Sequence, residues 1–295
     1  MRLGDLTPAQ RTAAMTLLET AFSASGYRKV TEILRADDAF RDGVGRNGPG
    51  GPGGGGRGPG GPPAGGASPP AGGPGGPGGG RPGGPVAFGS DEYSIAFVGQ
   101  PSTTMPWMLQ FGGHHLALNL TFAGARATLA PSLTGTQPAS FAFEGRTIRP
   151  LGQENDRAFA LIASLDETQK TPAIVGYAVP DLVLGPGQDG RTIQPEGIRA
   201  TALSATQQSM VIDIAREWAG IANDAYAAPR IEEIRGKLAQ TYFAWSGPTT
   251  PDSAAYFRIQ GPTLVIEYAP QRDVDHIHTI YRDPTNDYGS AYTRP

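Results

Sequence analysis

The chain has 295 residues, a formal net charge of -3, a pI near 5.8 and no cysteine. The absence of cysteine excludes a disulfide framework, zinc–thiolate sites and a thiol nucleophile. Without a block of lysine or arginine there is no electrostatic footprint for nucleic acid, and no apolar run reaches the ~20 residues of a membrane-spanning helix.

The first ten residues, Met1 to Gln10, contain no apolar stretch of the kind that marks a signal peptide. Leu6-Thr-Pro-Ala-Gln10, Leu165-Asp-Glu-Thr-Gln169 and Leu203-Ser-Ala-Thr-Gln207 share one pattern: a Leu, a capping residue, then Gln three positions after the cap. That is a capping box, in which the Thr, Asp or Ser oxygen takes a free N–H of the first turn and the Gln reaches back. Helices are therefore expected to begin near Thr7, Asp166 and Ser204. We read the likeness as shared capping chemistry rather than a domain repeat, because the text after each start diverges. The first helix carries Ala14, Leu17, Leu18, Ala21 and Phe22 as an apolar stripe and is expected to stop near Gly26. A second helix is expected over Lys29 to Phe40.

From Gly48 to Pro85 glycine and proline fill roughly 32 of about 38 positions. With almost no side chains to bury, such a segment cannot offset its ordering entropy. It reads as a disordered linker over 43–86 between an N-terminal helical segment, 1–42, and a main domain, 87–295. A role as a protein-binding tether is the alternative for this linker.

Further on, strands are expected at Tyr93 to Gly99, Trp107 to Phe111 and His114 to Phe122, with Gly112-Gly113 as a turn or bulge. Ala158 to Ser164 leans to helix. The Ser204 helix should bury Met210, Ile214, Trp218 and Ile221, and a short helix should follow Pro229. The C-terminal part reads as a meander: Thr241 to Trp245, Ala255 to Gln260, Thr263 to Tyr268 and His276 to Arg282, with Gly261-Pro262 as a turn. Helices and antiparallel strands without βα alternation make the fold class α+β.

The four histidines fall in two clusters, His114-His115 and His276-Ile-His278. Imidazole is the commonest metal ligand, and four of them paired at two distant points suggest one site assembled from two segments. Alternation along a strand places His276 and His278 on one face. On the His114 to Phe122 strand it sends His114 with the leucines and His115 with Asn119, which favours His115 as the ligand. Three imidazoles leave a coordination position open, as in a catalytic zinc or copper site. Zinc is the default divalent transition metal for a cysteine-free site, with copper or iron as alternatives.

Glu267 stands alone in the apolar run Leu264-Val-Ile-Glu-Tyr268. A carboxylate there needs a partner: it is a ligand, a general base, an acceptor that orients a histidine, or half of a salt bridge with Arg258 or Arg282. Asp275 is the other candidate for acid–base work. Trp107, Asn119, Arg282 and Asp283 are candidate substrate contacts. Asp283 to Gly289 clusters oxygens but lacks the spacing of a calcium loop and reads as a turn.

These segments carry a resemblance. Pro106-Trp107, Gly113-His-His-Leu-Ala-Leu-Asn119, Leu182-Val-Leu-Gly-Pro-Gly187, Tyr242-Phe-Ala-Trp-Ser-Gly247, Arg258-Ile-Gln-Gly-Pro262, Ile266-Glu267 and His276-Ile-His-Thr-Ile-Tyr-Arg-Asp-Pro284 through Asn286-Asp-Tyr-Gly289 resemble the bacterial domain-of-unknown-function family 3500. The resemblance covers nearly all of the chain outside the Gly/Pro insert. It implies an extracytoplasmic setting, since many relatives carry export signals, and it implies no reaction or cofactor. The residues themselves suggest a metal-binding protein, a metal-dependent hydrolase first and a metal-dependent oxidoreductase second. The alternative is a non-catalytic extracytoplasmic protein that captures a small ligand.

Overall fold

A computed structural model of the protein describes residues 1–44 and 88–293. From residue 45 onward the expected linker lies outside the described residues, as do its proposed tether role and the chain's last two positions.

All three capping boxes form. Thr7 heads α1 (Pro8–Ala21), Asp166 heads α4 (Glu167–Ala173) and Ser204 heads α5 (Ala205–Ala219), each with its Gln side chain returned to the cap N–H. The second helix, α2 (Ala24–Arg41), starts earlier than expected because Ser23 caps it, accepting from Gly26 N. Gly26 is thus not a helix stop. It sits in the first turn of α2 against the backbone of Ile221, where an added Cβ would lie 2.2 Å from the Ile221 carbonyl oxygen. That close approach, rather than a left-handed turn, is what the glycine serves.

Two more helices also begin upstream of their sequence signals. Helix α3 (Gly152–Ser164) contains the ambiguous Ala158 to Ser164 run, and α6 (Asp224–Gly236) is capped by Asn223 and carries Pro229 inside it. On α5, Ile214 and Trp218 are buried, as is Ile221 just beyond it, whereas Met210 is only partly buried against the core. A short α7 (Ser290–Thr293) follows at the C-terminal end.

The first meander is β1 (Ser94–Val98), β2 (Trp107–Gly112), β3 (Leu116–Ala123), β4 (Arg126–Thr128) and β5 (Ser132–Thr136). A separate hairpin, β6 (Phe141–Phe143) and β7 (Arg146–Ile148), comes next. After β8 (Ile198–Arg199), the expected C-terminal meander forms as β9 (Tyr242–Ser246), β10 (Tyr256–Gly261), β11 (Leu264–Pro270) and β12 (Ile277–Arg282). The main sheet is antiparallel, in the order β1-β2-β3-β5-β12-β11-β10-β9-β8, with β4 beside β3. The fold is α+β, with N-terminal helices ahead of a mixed helical and mainly antiparallel body.

One sheet face carries Leu109, Phe111, Leu118, Ile266, Tyr268, Phe257 and Trp245 and packs against the helices. Trp218 of α5 donates its indole N–H to Thr279 on this face, 2.9 Å, and Thr279 shares a hydrogen bond with Thr134 of β5. Leu18 and Ile33 of the N-terminal helices belong to the same apolar cluster as these sheet residues. Burying side chains of this size stabilises a fold by about 1.5–3 kcal/mol each. Alternation turns Glu267, Arg258, Arg282 and His278 to the opposite face. No helix among the described residues is long and apolar enough to cross a membrane.

Candidate metal centre

The histidines meet at one end of the sheet, at the junction of the two meanders. Strand β5 pairs with β3 on one side and β12 on the other. Gly135, near the end of β5, lies opposite His278, and its N–H donates to the His115 carbonyl, 2.8 Å. A Cβ at position 135 would sit 2.9 Å from His115 Cδ2 and 3.5 Å from His278 Cδ2. The missing side chain is the space in which the two imidazoles stand.

Strand β3 begins only at Leu116, so His114 and His115 occupy the turn after Gly113. The alternation expected for the pair therefore stops short of it. His115 is nevertheless the inward one, 3 % exposed, while His114 is exposed. The cause is Asp37, on the apolar face of α2 among Ile33, Leu34 and Phe40. Asp37 is fully buried and its Oδ1 lies 2.5 Å from His115 Nδ1. Its Oδ2 accepts from the buried Tyr93 hydroxyl, 2.5 Å, and that hydroxyl in turn accepts the His115 N–H, 3.3 Å. Burial and the Asp37 charge hold the Tyr93 phenol well above its ordinary pKa, so it stays a donor.

With Asp37 accepting, the His115 Nδ1 carries the proton and Nε2 presents its lone pair. That Nε2 faces His276 Nε2 at 3.3 Å. Two nitrogens bound to one tetrahedral ion at about 2.1 Å stand about 3.4 Å apart. His114, His115 and His276 each offer a nitrogen within 4.8 Å of the others, so this group could hold a metal ion. A carboxylate behind a ligand histidine is the arrangement that fixes tautomer and ring orientation in metal centres.

Desolvation, reinforced by the neighbouring imidazoles, pushes His276 down to about 4 and lowers His278 as well. His114 falls to about 4 too, because its ring is shielded by Phe88 and His115 although the residue as a whole is exposed. At neutral pH these rings are uncharged, the form that binds metal. The His278 ring stands 4.6 Å from the His276 ring and 6.2 Å from the His115 ring, on the rim of the compact group. Its Nδ1 is 3.7 Å from Asp181 Oδ1, and it is partly exposed. His114 closes the other side, edge-on to both His115 and Phe88, which packs on Phe40 of α2.

The other candidate residues go elsewhere. The Glu267 carboxylate accepts from the N–H groups of Val183 and Leu184, at 3.2 and 2.8 Å, and from the Tyr256 hydroxyl, with Arg258 at 3.9 Å. It fastens the segment after α4 across the sheet face. Arg282 supports the same crossing, donating to the Leu184 and Gln188 carbonyls while paired with Asp287. Asp275 precedes His276, but its Oδ1 accepts from the Ala139 N–H, 3.1 Å. Asp283 pairs with Arg230, 3.1 Å. Asn119 bridges Gln110 and the Pro131 carbonyl, and Trp107 stacks on Phe122 with its N–H on the Ser102 carbonyl. The structure therefore brings the four histidines together and engages the remaining candidates in local contacts. Sequence reasoning missed Asp37, Tyr93, Asp181 and Gly135. For Asp37 a signal existed: a carboxylate at the i+4 position from Ile33 on an otherwise apolar helix face.

No curated protein and no solved structure matches the chain. A family profile described as "Protein of unknown function (DUF3500)" matches residues 1–290, the whole span over which the histidine motifs and both meanders lie. The chain belongs to domain-of-unknown-function family 3500.

Proposed function

We propose that this protein binds a divalent transition-metal ion, zinc first, through His114, His115 and His276, and uses it to hydrolyse a small-molecule substrate. The observation that carries the reading is the His115–His276 pair. Its facing nitrogens have the spacing of two ligands on one ion, and one of them is oriented from behind by a buried carboxylate. When bound, such an ion supplies a Lewis acid that activates water at neutral pH.

The protein's own groups do the rest. Asp37 keeps the His115 lone pair aimed outward, and Tyr93 keeps Asp37 in place. His278 and Asp181 flank the group on its solvent side, where they would orient a substrate or take up a proton. An all-imidazole donor set also suits copper, and that donor set is what supports a redox role as the second reading.

Cobalt substitution separates these readings. Co(II) added to metal-free protein should give the intense visible bands of a four-coordinate site, abolished in His115→Ala/His276→Ala. The zinc-loaded protein should then cleave ester, amide or phosphoester probes. Weak six-coordinate bands that persist in the variant would reject the site. Turnover of oxidisable probes only by copper-loaded protein would replace hydrolysis with oxidation.

A further inference from the structure

A second cluster of charge lies on the outer face of α2. Arg28, Glu32 and Arg35 are spaced i, i+4 and i+7, which places them on one stripe of the helix. Facing them is the β6–β7 hairpin. Its register pairs Phe141 with Ile148 and Phe143 with Arg146, so cross-strand neighbours Phe143, Arg146 and Ile148 share the face turned to the helix. Together these residues and Glu144 line a cleft of about 230 Å³.

The arginines here differ from several others among the described residues. Arg149, Arg157 and Arg258 each hold a carboxylate at 2.7–2.9 Å. Among the described residues no ion pair is made by Arg28, Arg35 or Arg146. Arg35 is instead laid over the Phe143 ring, 4.6 Å from its centroid. That stacking holds the guanidinium plane without using its N–H donors and lowers the entropy lost when an anion is bound. We infer that Arg28, Arg35 and Arg146 form a binding cleft for the phosphate or carboxylate group of an anionic ligand. Planar guanidinium forks match both groups in bidentate geometry. The volume is below the roughly 300 Å³ at which pockets for drug-sized ligands begin, so the cleft fits a small anion or the charged end of a larger molecule.

Glu32 lies between the two helical arginines and opposes such a ligand. Burial raises its carboxyl above the ordinary value while Arg28 and Arg35 draw it back. Removing that charge should tighten binding.

The inference stands apart from the histidine site, and its test uses the full chain freed of metal by chelation. Isothermal titration with inorganic phosphate and, separately, with succinate is run at constant ionic strength. The native protein should bind at least one of them saturably, and the stronger of the two assigns the group as phosphate or carboxylate. Arg35→Ala/Arg146→Ala should weaken that binding about tenfold or more, the scale of one lost charge-assisted contact. Glu32→Gln should tighten it, and His115→Ala/His276→Ala should leave it unchanged. Arg35 and Arg146 are exposed, and Arg146→Ala alone repeats the test if the double variant melts early. No saturable binding of either anion would overturn the proposal. So would equal affinity in the native and arginine variants, or loss of binding in the histidine variant.

Discussion

The two halves of this molecule follow the same order and end in different chemistry. The first opens with a bridge from Arg2 to Ser94, a short 3-10 turn at Leu3–Asp5, the α1–α2 pair and the β1–β5 meander. The second opens with β8 beside β9, a 3-10 turn at Ala200–Ala202, the α5–α6 pair and the β9–β12 meander. The helix pairs meet reciprocally at their bends: Phe22 bridges Ala222, Ser23 N donates to the Ile221 carbonyl and Asn223 N to the Ala21 carbonyl, each at 3.0 Å. The capping boxes at Thr7 and Ser204 thus head equivalent helices, while the one at Asp166 does not. The sheet is completed where β5 pairs β12. The halves differ in what they bury. Helix α2 runs on for 18 residues and delivers Asp37 beneath His115, whereas α6 stops after 13. The second half places its buried carboxylate, Glu267, under the segment that crosses the sheet. A shared scaffold explains why the histidines converge at the seam, and the unshared carboxylates separate orienting a histidine from holding a fold.

That separation can be broken. The largest effect is expected at Glu267, which is fully buried. Glu267→Ala leaves the Tyr256 hydroxyl and two N–H groups without their acceptor, removes the carboxylate 3.9 Å from Arg258, and should cost about 3–5 kcal/mol in urea unfolding. Metal affinity of the folded fraction should stay as it is. Loss of metal from a Glu267 variant that is still folded would join the two roles that we separate.

Asp37→Asn should do the opposite, weakening metal binding about 10–100-fold in competition with a chromophoric chelator. A weaker version comes from Tyr93→Phe, which keeps the carboxylate and removes one of its donors. It should lower stability by about 1 kcal/mol and shift metal affinity less than Asp37→Asn does. Equal affinities for native protein and Asp37→Asn would make the aspartate a packing residue.

The smallest effect is a pH dependence of the metal-free protein. His114 and His276 stand at about 4 in the fold against an ordinary 6.5. Between those values the unfolded chain binds more protons, so stability should fall as pH drops from about 6.5 toward 4 and level off below. Thermal midpoints across that range should decline less steeply in His276→Ala. Midpoints that rise on acidification would contradict neutral, desolvated imidazoles.

Much of this was legible in the residues. The capping boxes mark three helix starts because their chemistry is local. The meander is legible because alternation records burial, and the paired histidines because their positions name two strand ends. Gly26 and Pro229 misled because their reasons are tertiary: the glycine clears the backbone of Ile221, and the proline is carried in a helix begun by the Asn223 cap. Glu267 was recognisable as a carboxylate needing partners, yet two of those partners are backbone N–H groups more than 80 residues away in sequence. Strand alternation points His115 inward, yet β3 begins only at Leu116, one residue after it. Asp37 stayed hidden because a helix face does not say which strand end it will meet.

Elemental analysis tests the central claim most directly. Protein purified without chelator should be compared by plasma mass spectrometry with a folded His115→Ala/His276→Ala variant. The account predicts near-stoichiometric zinc, or another single transition metal, in the parent and none in the variant. Metal absent from both after incubation with zinc, copper and iron, or retained equally by both, would contradict it.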